Sequence, residues 1–441
     1  MMTTLVNAYT KIRFLLTVQR KLQRPPGVSW PSLILLAGAF CCQSCDSLAQ
    51  GINSLRVYKA MTAGKPSTMA GTDTIPFEYH NNVIIIKGKV NGQSLDFIVD
   101  TGAPSIIWEE AARSLKLEKS PVASTSTDAN GKEQKIEFYA ADEVQVGNLK
   151  LEKMNLASVS TLSEEIKCYA SGGILGGNFL RHFNWQIDYD RKCLVASSHL
   201  TKLTIPKGAI KVEAEVATLQ GRVSIGNVQL LGQRETFILD TGSRGFISLD
   251  KGKWNPQKAA LALPYTEAYG YSRLSAGGRE KTISYVIQTD FVTPMGTLQD
   301  AVLEVDTDRS KLGNSFLSQF GVVTIDYTSK SPAVYFPPRA VKSIDNKTWG
   351  FTPVYDKTQK GFVIGSIYKN SPVEKAGLQV GDRILAINGQ DLRSVEYSDY
   401  CGKNYTGEAS YTMVGDVVTL TVERNGRQEV RELKKYLMFS K

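Results

Sequence analysis

The chain has 441 residues, too many for one ordinary core, because domains usually run to about 100–200 residues. Apolar content of 42% and charged content of 22% are those of a globular protein and exclude a disordered or fibrous chain. The net charge of +9 is partly a feature of the first 49 residues, which hold five bases and one acid; the remainder is mildly basic with no Lys/Arg stripe, which excludes a nucleic-acid partner.

Residues 1–49 have the layout of an export signal. Lys11, Arg13, Arg20, Lys21 and Arg24 precede the apolar run "SLILLAGAFCC", too short for a bilayer span of roughly 20 residues. Ser47 and Ala49 supply small residues for cleavage before Gln50, so the mature protein is expected in the periplasm or cell envelope. Cys41, Cys42 and Cys45 leave lipoprotein processing open, and membrane association would require it. Residues 50–73 are expected to form a linker. Three cysteines remain beyond it: a Cys168–Cys193 bridge is allowed in an oxidising compartment, and isolated buried thiols are equally compatible with so few.

From residue 74 onward the chain repeats itself. "VIIIKGKVNGQSLDFIVD" (83–100) and "VSIGNVQLLGQRETFILD" (223–240) each read as two strands, turned at Asn91-Gly92 and at Gly232, that run into Asp-Thr-Gly. Turn signals recur downstream at Asn130-Gly131 and Gly277-Gly278. "ILGGNFLRHFNWQIDYD" (174–190) then answers to "KLGNSFLSQFGVVTIDYT" (311–328). Asp100 precedes Gly176 and Asp188 by nearly the intervals at which Asp240 precedes Gly313 and Asp326. The reading is a duplication into two mainly β lobes, 74–200 and 201–340. Helical pattern is confined to 109–117 and, more weakly, 256–263. Asp188 and Asp326 are read as the start of a last hairpin turn in each lobe.

If a pseudo-twofold axis brings the two Asp-Thr-Gly turns together, Asp100 and Asp240 meet. Two carboxylates ~3 Å apart repel by roughly 5 kcal/mol at an effective dielectric near 20, which is about four pK units. Such a pair holds one proton and titrates as a unit. A bridging water could then lose a proton to the ionised carboxylate and attack a carbonyl carbon, while the protonated carboxyl bonds the carbonyl oxygen. Thr101 and Thr241 are placed to bond backbone across the interface, and Gly102 and Gly242 to let the chain bend after the strand. This chemistry calls for no metal or cofactor. His80, His182 and His199 lack the spacing of a zinc site, and the glycines of 172–177 lack a phosphate loop's Lys-Ser/Thr.

"DTGA" and "DTGS", each with a downstream apolar-apolar-Gly, resemble the pepsin-like and retropepsin-like aspartic proteases, over roughly residues 75–336. The resemblance implies two retropepsin-like β lobes, a catalytic dyad of Asp100 and Asp240 within one chain, and hydrolysis of polypeptide substrates. It implies that Leu175-Gly176 and Leu312-Gly313 support the catalytic turns, and that the hairpins tipped at Asn130-Gly131 and Gly277-Gly278 are flaps. Lys311 departs from the pattern by standing where an apolar residue is expected, and the flap tips carry no tyrosine, although Tyr269 and Tyr271 lie nearby. Arg244, just past the second motif, is a candidate cation for stabilising ionised Asp240.

In the last hundred residues, Ser371-Pro372 reads as a capped helix start, followed by turns at Gly381-Asp382, Asn388-Gly389 and Asn425-Gly426. "SPVEKAGLQVGDRILAING" (371–389) resembles a PDZ domain, which would occupy 341–441. The resemblance implies that Trp349, Gly350 and Phe351 form a loop receiving a peptide C-terminus, which adds as a strand to the sheet edge. Two other functional readings stay open: a non-catalytic peptide- or partner-binding envelope protein on a degenerate protease fold, and a protease whose dyad is built between two chains.

Overall fold

Apolar strands broken by Gly and Asn turns dictate a β protein, and the structure is mainly β with a PDZ domain. It is a computed structural model that describes residues 53–67, 71–160, 162–257, 263–272, 274–275, 277–406 and 413–439. The expected export signal, with its cysteine cluster, lies outside the described residues, as does most of the weak helical pattern at 256–263. The first helical pattern forms a helix at Glu109–Ser114. Within the range read as a linker, Lys65–Pro66 pairs with Leu151 and Glu152, and strand Thr72–Pro76 pairs with Cys193–Ser197.

Each lobe is built on the same frame. In the first, strand Val83–Val90 turns at Asn91-Gly92, both at positive φ, into Gln93–Asp100. That strand pairs in parallel with Gly173–Gly176, so that Asp100 lies opposite Gly176. In the second, Gln233–Asp240 pairs in parallel with Lys311–Gly313, and Asp240 lies opposite Gly313. The sheet alternation buries Phe97 and Val99 in one lobe and Phe237 and Leu239 in the other.

The lobes are joined by a single antiparallel sheet. Its strands run in the order Thr72–Pro76, Cys193–Ser197, Asn184–Asp188, Val322–Asp326, Ala333–Phe336 and Ile210–Val216. The central pair, Asn184–Asp188 with Val322–Asp326, comes from corresponding places in the two lobes, and this places the pseudo-twofold axis between them. Asp188 and Asp326 do begin hairpin turns, accepting from the N–H groups of Arg191 (2.7 Å) and Ser329 (3.2 Å).

The PDZ domain is fastened to both lobes. Its strand Gly361–Tyr368 pairs with Tyr265–Tyr271 of the second lobe, and Tyr269 packs against the PDZ core. The allowed Cys168–Cys193 bridge is not formed. Cys168 is instead bonded to Cys401 in helix Tyr397–Thr406, with Cα atoms 5.2 Å apart, and Cys193 is a buried free thiol. The reason is topological: Cys193 is held in the inter-lobe ladder between Asp188 and Pro76, while Cys168 caps the short helix Glu164–Lys167 beside the PDZ helix. Because the bond closes 233 residues of chain, replacing both Cys168 and Cys401 by Ser is expected to lower stability by about 3–5 kcal/mol in denaturant unfolding.

Candidate active site

The two Asp-Thr-Gly turns meet at the axis and hold one another. Thr101 Oγ1 donates to the Leu239 carbonyl (2.6 Å) and accepts from the Thr241 N–H (3.2 Å). Thr241 Oγ1 donates to the Val99 carbonyl (2.8 Å) and accepts from the Thr101 N–H (3.0 Å). All four bonds are buried. Thr101→Val keeps the shape of the side chain but orphans the Leu239 carbonyl and the Thr241 N–H, each costing about 1–3 kcal/mol. A loss of roughly 2–4 kcal/mol is expected in urea unfolding.

This clasp aims both carboxyl groups at the same spot. A Cβ added to Gly242 would sit 2.2 Å from Asp100 Oδ2, and one added to Gly102 would sit 2.9 Å from Asp240 Cγ. The glycines are therefore needed because the partner lobe's carboxyl occupies the space a side chain would take. Gly102 N–H donates to Asp100 Oδ1 at 2.7 Å, and a Cβ at Gly102 would lie 3.1 Å from Asp240 Oδ1 and 3.3 Å from Asp100 Oδ1, so the two carboxyls converge on one point. Burial first, then the charge of Asp240, pushes the Asp100 carboxyl up to about 7, against the opposing pull of the Gly102 N–H and Lys311.

The supporting loops press against the turns. The Asn178 amide oxygen accepts from the Ser105 N–H at 2.7 Å, and Asn314 donates to the Thr241 carbonyl at 2.5 Å. Cβ atoms at Gly176 and Gly313 would strike the carbonyls of Ala103 (2.4 Å) and Gly245 (2.3 Å). Leu175 and Leu312, one residue earlier, are buried in the core.

Two cations trade the parts expected of them. Arg244 is turned away to Tyr169, donating from Nη1 to the phenol oxygen at 2.7 Å. Lys311, standing where an apolar residue was expected, places Nζ 3.1 Å from Asp240 Oδ2. Its residue type alone marked it as a departure; its place in the ladder, opposite Ile238, is the signal that a cation here reaches the dyad.

The tips of the two hairpins at Asn130-Gly131 and Gly277-Gly278 touch each other. Asn130 Nδ2 donates to Ser272 Oγ and Ser275 Oγ, both at 3.0 Å, and to the Gly278 carbonyl at 3.3 Å. Gly277 N–H donates to Asp128 Oδ2 at 2.9 Å, and Gly131 and Gly278 take the positive φ of tight turns. Arg279, beside the second tip, pairs with Glu165 of the first lobe at 3.0 Å, and Tyr400 of the PDZ helix donates to the same carboxylate at 3.3 Å. Sequence reading missed this latch, since it joins residues more than a hundred positions apart.

In the PDZ domain, Gly350 (φ 90°) lies against Ser371, whose side chain caps the helix Pro372–Lys375. Lys435 stacks over the Trp349 ring at 4.1 Å, and Phe351 enters the domain core. Strand Phe351–Asp356 faces helix Tyr397–Thr406 through stacked Tyr355 and Tyr400 rings, 5.2 Å apart. Among the described residues no group of His, Cys, Asp and Glu is arranged to hold a metal, and no helix is long and apolar enough to cross a membrane.

Comparison with known proteins places families on two segments. Residues 86–179 match a family model described as Aspartyl protease, and residues 340–400 match the PDZ domain. Human and mouse Tax1-binding protein 3 are each 36% identical over 74 residues, which is 17% of this chain; the chain spans about half (55%) of the length of these curated relatives. A retropepsin-like aspartic protease from Rickettsia conorii is similar at 21% identity, covering 30% of this chain and 94% of its own, with a TM-score of 0.21. An aspartic proteinase from Irpex lacteus is similar at 12% identity, covering 60% of this chain and 97% of its own, with a TM-score of 0.33. The chain thus combines an aspartyl-protease-like domain with a PDZ domain.

Proposed function

We propose that the protein is an aspartic endopeptidase whose PDZ domain recognises peptide. The observation that carries this reading is that the Asp100 and Asp240 carboxyls face each other at the lobe interface, each packed against the glycine of the other's turn, where burial and mutual charge push the Asp100 carboxyl up to about 7. A water between the carboxyls attacks the scissile carbonyl carbon. One proton of the water passes to the ionised carboxylate, and the carbonyl oxygen takes the proton of its partner. Collapse of the resulting diol sends a proton to the amide nitrogen, breaks the C–N bond and returns the dyad to its starting state.

Both acids lie in one chain, so this mechanism needs no second copy. Peptide entry requires the flap-tip bonds of Asn130 and Asp128 to part. At the PDZ groove, the loop Trp349-Gly350-Phe351 would receive a C-terminal carboxylate. Pro353, in the strand next to it, offers no N–H to an added strand, so the docked segment is expected to be short. The Cys168–Cys401 bond supports an exported protein working in an oxidising compartment such as the periplasm.

The other reading, peptide binding without cleavage, is favoured by Lys311, whose ammonium occupies one face of Asp240. Digestion of a peptide library by the mature protein and its Asp100→Asn variant separates the two. Cleavage lost in the variant supports the enzyme; binding by both proteins with cleavage by neither supports the alternative.

A further inference from the structure

The duplication gives the two carboxyl groups equivalent places in their ladders, and one neighbouring ladder position differs in charge between the lobes. In a parallel pair, residues in register share a face of the sheet, and so do residues two apart along a strand. Ile98 lies opposite Ile174, and Ile238 lies opposite Lys311. Residues 174 and 311 are therefore diagonal neighbours of Asp100 and Asp240 respectively. In the first lobe this neighbour is a buried isoleucine, which gives the acid only an apolar wall. In the second it is a lysine whose four-carbon stem reaches along the ladder to Asp240 Oδ2 at 3.1 Å, with only 13% of the side chain exposed.

From this asymmetry we infer that Lys311 is a positioning residue that assigns the two roles of the dyad, fixing the negative charge on Asp240 as the base and leaving the proton on Asp100 as the acid. The inference rests on the proteolytic reading above and deepens it. A symmetric pair could share its proton either way round. An ammonium in contact with one oxygen of one member makes the two microstates unequal, because a charge pair shielded from water is worth far more than an exposed one.

Of the other groups at the dyad, the Gly102 N–H, 2.7 Å from Asp100 Oδ1, works the other way by favouring ionised Asp100, but it is a neutral dipole set against the full ammonium charge beside Asp240. Arg222, at the start of strand Val223–Leu230, acts on Asp240 with the same sign as Lys311. Tyr327, after strand Val322–Asp326, is neutral: burial and then the charge of Asp100 raise its phenol well above the ordinary value. Asp306, in strand Gly296–Thr307, lies near Lys311. Burial works against the Lys311 ammonium, but Asp240, with Asp306 and Asp100 behind it, outweighs that effect and keeps the group charged. The attacking water thus gives its proton to Asp240, and Asp100 gives its own to the carbonyl oxygen.

The test uses mature protein carrying Lys311→Met, Lys311→Gln or Lys311→Arg. Lys311 favours every state in which the dyad carries more negative charge, so its loss raises the pH at which the last shared proton leaves. In the pH profile of peptide cleavage, the alkaline limb near pH 7 should move up by about one to two pH units in the Met and Gln variants and stay in place in the Arg variant. Carboxyl carbon NMR of aspartate-labelled protein, assigned with Asp100→Asn and Asp240→Asn, reads the same shift without turnover, and Gln serves where Met does not fold. An Asp100 titration that does not move in the Met and Gln variants, or moves equally in the Arg variant, overturns the assignment. A shift in the NMR titration from a protein that cleaves nothing upholds it and overturns the proteolytic reading instead.

Discussion

Asp100→Asn and Asp240→Asn are each expected to lower kcat/KM for peptide cleavage by at least about 10³-fold, in line with the weight of general acid–base groups that act as a unit. An amide can neither accept the proton of the water nor give one to the carbonyl oxygen, so either change removes the whole cycle. The shape of the site should survive, since Asn replaces Asp at nearly equal volume and the threonine clasp uses none of the carboxyl oxygens. Binding of a non-cleavable peptide should therefore persist in both variants, as measured by calorimetry. The double variant should be no worse than either single one. Full activity in Asp240→Asn would contradict the dyad.

Stability should depend on pH through the same residue. The folded-state carboxyl of Asp100 is raised from its ordinary value of 3.8 to about 7, so between those values the folded protein binds more protons here than the unfolded chain. Stability should therefore fall as pH rises through that window and level off above it. The lost contribution is roughly 2–4 kcal/mol, three pK units being its upper bound. Asp100→Asn has no such proton to lose. In denaturant unfolding the variant should match the parent near pH 4 and exceed it at pH 8. An unchanged difference across that range would mean that Asp100 is not the group strained by burial.

The meeting of the two Asp-Thr-Gly turns was legible in the sequence because the motif is written twice. The repeated Asp-Thr-Gly, with Leu-Gly at matching distance, pointed to facing carboxyls and to threonine bonds across the interface, whereas the parallel pairing of those strands left no sequence signal. The hairpin tips at Asn130-Gly131 and Gly277-Gly278 were legible from turn chemistry alone. What escaped was set by contacts that leave no local pattern. Cys168 pairs with Cys401 across two domains, and no spacing rule links thiols 233 residues apart. Asp188 and Asp326 announced a turn, but the same strands also form the sheet that joins the lobes. Tyr269, close to a flap tip in sequence, serves the PDZ core instead. Arg244 was nearest the motif in sequence, yet its guanidinium bonds Tyr169, while Lys311 reaches the dyad from the neighbouring strand. Residue type marked Lys311 as a departure; only the register explains what the departure does.

The central claim, that two carboxyl groups from two lobes act on one solvent molecule, is tested most directly by a structure of the mature protein with a peptide in which a hydroxyl-bearing carbon replaces the scissile carbonyl. That hydroxyl should lie within about 3 Å of both Asp100 and Asp240, beneath hairpin tips whose Asn130 and Asp128 bonds have opened. A peptide seated only at the PDZ groove, with the space between the two acids inaccessible, would contradict it.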